Sequence, residues 1–130
     1  MEKIGIIGSG TWGTAIAVLL VNNGHEVTLW SAIPAEIEEM AKTRTHRNLP
    51  GVTLPEGLIY TADLEKAMAD KDLLVMAVPS VFVRSTAQKM KPFCKDGQLI
   101  VDVAKGIEEN TLDTMTQIIK EELPMAETAV

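Results

Sequence analysis

The sequence predicts an α/β fold, a parallel sheet with helices wound onto both faces. Three observations predict it. Short apolar runs of strand length alternate along the chain with helix-length segments, and that alternation calls for parallel strands joined by crossovers. The first run leads straight into Gly8-Ser9-Gly10-Thr11-Trp12-Gly13, a G-x-G-x-x-G. Strand, glycine loop, helix and second strand then fit within about 30 residues, the context a dinucleotide fingerprint requires. The glycines divide the work. Gly8 lets the chain turn tightly off the strand, Gly10 lets backbone approach a pyrophosphate, and Gly13 lets helix and strand pack closely. Backbone N–H groups and the dipole at the helix N-terminus, including those of Ser9, Thr11 and Trp12, then attract phosphate charge.

The elements come in order. Lys3-Ile4-Gly5-Ile6-Ile7 is the first strand, and residues 14–24 read as a helix closed by Gly24. Val27-Thr28-Leu29-Trp30 is the second strand. Residues 35–42 form a second helix, with Pro34 in its first turn and acids early and Lys42 late to complement its dipole. Residues 43–57 hold Arg44, Arg47, Pro50, Gly51 and Pro55 and read as a loop, long enough to suggest a functional one. Leu58-Ile59-Tyr60 is a short third strand. Asp63 caps a helix through Ala69, which Asp70-Lys71-Asp72 breaks. Leu73-Leu74-Val75-Met76-Ala77-Val78, the most apolar run, is a buried central strand. Pro79 ends it, and Ser80 caps the next helix, residues 81–90. Residues 99–103 are the fifth strand, terminated by Ala104-Lys105-Gly106. Residues 111–123 are a helix carrying Leu112, Met115, Ile118 and Ile119 on one face, stopped by Pro124. Thr128-Ala129-Val130 opens a sixth strand. The whole is a Rossmann doubly wound parallel sheet in a single domain, residues 1–130.

The totals narrow the function. A chain of 130 residues is one domain with one core. Net charge −6 and a sequence pI near 4.9 argue against nucleic acid as the main partner, which needs a basic surface. No apolar run approaches the ~20 residues of a membrane span. The N-terminus is a strand rather than a signal peptide, so a cytoplasmic location is expected. The lone Cys94 makes no internal disulfide and sits in a loop setting that does not suggest a nucleophile. The two histidines lie far apart in sequence and make no metal cluster.

Ligands of doubly wound sheets bind outside the carboxyl ends of the strands. That rule selects the Gly8–Gly13 loop, Ser31-Ala32, Pro79-Ser80 and Ala104-Lys105-Gly106. The fingerprint also expects an acidic residue near the end of the second strand, for the adenosine ribose. Trp30-Ser31-Ala32 stands there instead, and Glu26 lies at the wrong end of that strand. Without the acid an NADP 2′-phosphate is not repelled. Ser31 can hydrogen-bond it, and Arg44 or Arg47 can fold over it, unless they are plain solvated loop charge. The balance leans to NADP, with NAD open.

Several stretches together resemble the bacterial-type NAD(P)-dependent glycerol-3-phosphate dehydrogenases. They are residues 8–15, Asn23-Gly24-His25-Glu26-Val27-Thr28-Leu29-Trp30, Asn48-Leu49-Pro50-Gly51-Val52-Thr53-Leu54-Pro55, Ala77-Val78-Pro79-Ser80 and Lys105-Gly106-Ile107-Glu108. The resemblance runs the length of the chain in register. It implies a two-domain enzyme that interconverts dihydroxyacetone phosphate and glycerol 3-phosphate, a precursor of glycerophospholipids, by hydride transfer with NAD(P)H, and a homodimer for the full-length protein. It implies that Thr11 and Trp12 contact cofactor phosphate and ribose, and that Pro79 and Phe82 line the cofactor cleft. Lys105 would lie by the nicotinamide and the substrate, its ammonium stabilising charge on the carbonyl oxygen. Trp12 has an equal reading as a hydrophobic lid over the first helix.

This chain departs from relatives at Ser31-Ala32, where many carry Arg or His, and at Ala104, where many carry Ser or Thr. The family's proton-transferring lysine and most of its phosphate-gripping groups lie in a helical C-terminal domain absent from these residues. The expectation is therefore a chain that binds cofactor with negligible turnover alone. Two rivals remain: the Rossmann half of another β-hydroxyacid or ketoacid reductase, and a stand-alone nucleotide-sensing module.

Overall fold

The computed structural model describes all of residues 1–130. Six parallel strands are arranged in the order β3-β2-β1-β4-β5-β6. They are β1 (Lys3–Ile7), β2 (Glu26–Trp30), β3 (Ile59–Thr61), β4 (Leu73–Met76), β5 (Leu99–Asp102) and β6 (Glu127–Ala129). Between them run α1 (Thr11–Asn22), α2 (Pro34–Thr43), α3 (Leu64–Met68), α4 (Val83–Met90) and α5 (Met115–Glu122). The order reverses direction between β1 and β4, which pair through Ile4 with Leu73 to Ile7 with Met76. That reversal opens a crevice at the strand ends.

Alternation along each strand decides which core a side chain joins. Ile4 and Ile6, Val27 and Leu29, and Val75 face one side, where they pack with Ala17 of α1 and with Ile37 and Met40 of α2. Ile7, Trp30, Leu74, Met76 and Ile100 face the other. There they meet Met68 of α3, Val83, Ala87 and Met90 of α4, and Met115, Ile118 and Ile119 of α5. Strands buried on both faces read as continuous apolar runs because both parities are needed.

Most element ends differ from the sequence reading by one to three residues, and four of the differences have a visible local cause. The central strand stops at Met76; Ala77 gives its N–H to Ile7 O at 2.8 Å and the chain then leaves the sheet. The helix expected over 81–90 starts as a 3₁₀ turn, Ser80–Phe82, closed by the Phe82 N–H on Pro79 O, and Ser80 caps nothing. The fifth strand ends at Asp102, whose carboxylate takes the Ala104 N–H and bends the chain. The helix expected over 111–123 starts at Met115. Thr114 and Gln117 form a reciprocal capping box there, and Leu112 lies outside the helix, 67% exposed with φ 61°.

Gly5 lies in the middle of β1, where a glycine costs strand stability. The reason is α3. A Cβ at Gly5 would collide with the Ala67 carbonyl oxygen and come 2.9 Å from Leu74 Cδ2. Gly5→Ala should therefore destabilise the fold by about 2 kcal/mol or more, an overpacking cost. A urea-unfolding midpoint checks this.

Candidate functional site

The site begins with three backbones in contact. Gly8 has φ 125°, and a Cβ there would lie 2.6 Å from Ala77 C and Val78 N, so only glycine allows β1 to turn against the exit of β4. A Cβ on Gly13 would strike the Gly8 carbonyl oxygen, so α1 can start this close to the strand only with glycine. At Gly10 the result is the opposite: a Cβ would meet nothing within 4 Å. The fold makes no steric demand for glycine there, and the open space is room for something other than protein.

That space faces the start of α1, whose N-cap is Gly10 and which has no side-chain cap. Thr14 is the first of its N–H groups to find a helix carbonyl, Gly10 O at 3.0 Å. The earlier N–H groups and the positive end of the helix dipole are left to an anion.

Two clefts meet at Gly10, Val78 and Pro79. One, of about 600 Å³, runs past Thr11 and Trp12 to Ala104 and Lys105. The other, of about 420 Å³, runs past Ser9, Ser31 and Phe82 to Glu36 and Lys89. Of the residues singled out from sequence, Gly8, Ser9, Gly10, Thr11, Trp12, Ser31, Pro79, Phe82 and Lys105 line this pair of clefts, and Gly13 packs directly beneath. Trp12 and Phe82 are exposed, 73% and 56%, at the cleft mouth, so Trp12 does not lie as a lid over its own helix. The fit to a dinucleotide is sound: an elongated bipartite cleft, with unpartnered N–H groups and an open Gly10 at its centre. Ser31 Oγ accepts the Ile33 N–H at 3.1 Å and keeps its own hydrogen to donate.

Arg44 is not brought to this site. Its Nε donates to Leu54 O at 2.9 Å and its Nη1 lies 3.6 Å from Glu56, so it closes its own loop. Arg47 lines a separate polar depression of about 300 Å³ with Glu36 and Thr45. Cys94 is half-buried, and burial with the Asp96 charge pushes its thiol up, away from a reactive thiolate.

Three residues at or beside the site were missed in the sequence. His46 is buried, with Nε2 2.9 Å from the Ser9 carbonyl oxygen. Arg84 of α4 makes a two-pronged contact with Glu108, 2.7 and 2.9 Å, and also reaches Glu122 at 2.8 Å and Glu121 at 3.2 Å. Those bonds hold the Arg84 guanidinium charged and the Glu108 carboxyl below its usual range, and they fasten the Lys105-Gly106-Ile107-Glu108 corner between α4 and α5. Asp102 anchors the same corner from the other side, accepting the Ala104 N–H at 2.8 Å. No helix is long and apolar enough to cross a membrane.

Strand order, glycine loop and crevice together define a Rossmann-type α/β domain. The family described as NAD-dependent glycerol-3-phosphate dehydrogenase N-terminus matches residues 3–130, and the chain belongs to that family. Among relatives, it is 53% identical to a glycerol-3-phosphate dehydrogenase [NAD(P)+] of Agathobacter rectalis over 100% of this chain and 39% of that protein. It is 54% identical to one from Lactobacillus delbrueckii subsp. bulgaricus, over 95% and 36% respectively. A crystal structure of glycerol-3-phosphate dehydrogenase from Coxiella burnetii superposes with a TM-score of 0.90 at 27% identity, over 98% of this chain and 39% of the other. The chain thus spans about two-fifths of the length of these relatives.

Asp102 sets a pH dependence. Burial raises its pKa above 3.8, with the Ala104 N–H and the Thr116 hydroxyl pulling it part of the way back. A carboxyl raised in the folded state binds its proton more tightly folded than unfolded. Its contribution to stability therefore falls as pH rises from 3.8 to the raised value, and stays low above it. Asp102→Asn keeps an oxygen for the Ala104 N–H and removes the buried charge. Unfolding midpoints should show the variant at least as stable as wild type at neutral pH, with that advantage vanishing in acid below 3.8.

Proposed function

We propose that residues 1–130 are the NAD(P)-binding domain of a glycerol-3-phosphate dehydrogenase, which interconverts dihydroxyacetone phosphate and sn-glycerol 3-phosphate. The observation that carries the reading is the bipartite cleft meeting at Gly10, in a chain whose family match covers residues 3–130. The N–H groups of Gly10, Thr11, Trp12 and Gly13 receive the pyrophosphate, and the open side of Gly10 gives it room. Ser31, at the end of β2, faces the adenosine ribose, and Pro79 and Phe82 form the wall opposite the glycine loop. Trp12 flanks the cleft that leads to Lys105.

The nicotinamide, when bound, supplies or takes up the hydride. Lys105, at the far end of the larger cleft, places its ammonium where the substrate carbonyl oxygen gathers charge during reduction, and releases that stabilisation on the return path. Asp102 and the Arg84–Glu108 pair keep the Lys105 corner in place on either side. The substrate phosphate and the proton transfer are assigned to the remainder of the full-length enzyme. Either NAD or NADP suits the adenosine end, where Glu36 and Lys89 offer opposite charges to the same cleft.

Titration calorimetry of the full-length protein with NADH and NADPH, paired with an assay on dihydroxyacetone phosphate, tests this reading. Absence of binding by both would remove it. Gly10→Ala should leave the unfolding midpoint close to wild type, because its Cβ meets no protein atom, while weakening cofactor binding by about tenfold or more, about 1.4 kcal/mol. Lys105→Met should leave cofactor affinity within about twofold and lower kcat by about 10² to 10³, the loss typical of one donor to a developing oxyanion. A Lys105→Met enzyme with normal kcat would take Lys105 out of the mechanism.

A further inference from the structure

The loop from residue 44 to residue 58 is more ordered than its proline and glycine content suggests. Arg44 and Leu54 exchange two hydrogen bonds, Leu54 N–H on Arg44 O at 2.8 Å and Arg44 Nε on Leu54 O at 2.9 Å. Leu54 and Leu58 are buried in the core beside α1 and α2. The segment between is a closed loop with its own turns, Leu49 N–H on His46 O and Val52 N–H on Leu49 O. Its one buried polar side chain is His46, 8% exposed.

Both ring nitrogens of His46 have partners, and the partners fix the tautomer. The Asn48 N–H donates to Nδ1 at 3.1 Å, so Nδ1 carries the lone pair and Nε2 carries the hydrogen. Nε2–H then donates to the Ser9 carbonyl oxygen at 2.9 Å, across 37 residues of sequence. The same oxygen accepts the Thr14 hydroxyl at 3.1 Å. Two donors therefore hold the Ser9 carbonyl on the buried side of the glycine loop. In a trans peptide the N–H of the next residue points the opposite way. Here that N–H belongs to Gly10, the residue at which the two clefts meet.

We propose that His46 is a positioning residue of the dinucleotide site: through Ser9 it holds the Ser9–Gly10 peptide plane so that the Gly10 N–H faces the pyrophosphate. The inference deepens the proposed function and rests on its placement of the pyrophosphate. It also gives the Leu-Pro-Gly loop a task, which is to deliver one imidazole to the underside of the glycine loop.

Two substitutions separate the nitrogens. Glutamine carries its amide nitrogen near the position of Nε2, and asparagine places a polar atom near that of Nδ1. His46→Gln therefore keeps the tether to Ser9 and gives up the Asn48 contact, while His46→Asn keeps the contact within the loop and gives up the tether. In the full-length protein, His46→Asn should weaken NADH or NADPH binding by about tenfold, the loss expected for a bond aiming a donor at charge. His46→Gln should stay within about twofold of wild type. A general packing role would predict equal losses in both, with unfolding midpoints falling in parallel.

The second measurement is the carbonyl ¹³C shift of Ser9, read by labelling the Ser9–Gly10 step. It should move in His46→Asn and hold in His46→Gln. Wild-type protein that binds neither cofactor overturns the functional reading, and the tether is then judged by the Ser9 shift alone. Equal affinities in His46→Asn and wild type, or a Ser9 shift indifferent to both substitutions, overturns the proposal.

Discussion

The structure depends on a contact that involves no side chain at all. At the point where strand order reverses, the backbone of Gly8 lies against the backbone of Ala77 and Val78, within a distance that a single Cβ would violate. Gly13 completes the arrangement, since α1 starts against Gly8 and its own Cβ position lies 3.2 Å from Ala77 Cβ. Close approach here brings the end of β1, the exit of β4 and the N-terminus of α1 to one place. The cleft floor, the free N–H groups and the two-part shape all arise from it. Side chains then decorate a site that backbone geometry has already built, which is why the glycine spacing is so informative in the sequence.

The legible part of the molecule was the part written at short range. Strand and helix order could be read because each element is written within three to twelve consecutive residues, and strand ends locate the crevice by rule. Asp63 as a helix cap was legible for the same reason, its carboxylate accepting the Glu65 and Lys66 N–H groups. The start of α5 was written locally too, as Thr114 with Gln117 three residues later, but apolar periodicity through Leu112 outweighed it. His46, Arg84 and the role of Gly5 had no local signature. Their partners lie 37 residues away, 24 to 38 residues away, and on another element, so only the assembled sheet brings them together. Asp102 hid differently: within the apolar run 99–103 it reads as one more strand residue, and only its bond to Ala104 shows that it ends the strand.

The corner that carries Lys105 shows how polar groups are committed to position rather than to fold stability. Glu121 and Glu122 end α5, where negative charge opposes the helix dipole. Glu108 and Asp113 add two further carboxylates to the same place. Four acids around one guanidinium make a poor choice if helix stability were the aim. As a fastening they make sense. As Arg84 sits on α4, just after the Ser80–Phe82 turn, its bonds to Glu108 tie the Lys105 corner to that turn, and its bonds to Glu121 and Glu122 tie α5 to it. Gly106 is the contact point, its Cβ direction ending 4.0 Å from Ser80.

An acidic chain proposed to receive a doubly charged pyrophosphate looks contradictory at the level of net charge, which is −6. Distribution resolves it. Fields in water at physiological salt fade over roughly 8 Å, so a ligand responds to what lines its cleft and not to the whole surface. The clefts hold Lys89 and Lys105 against the single acid Glu36. Much of the acidity is spent elsewhere, four carboxylates of it on Arg84. The remaining attraction comes from oriented N–H groups at the start of α1, which carry no formal charge and leave no mark on the composition. An anion that fits within the clefts meets these groups rather than the surface as a whole, so the net charge of the chain is silent about it.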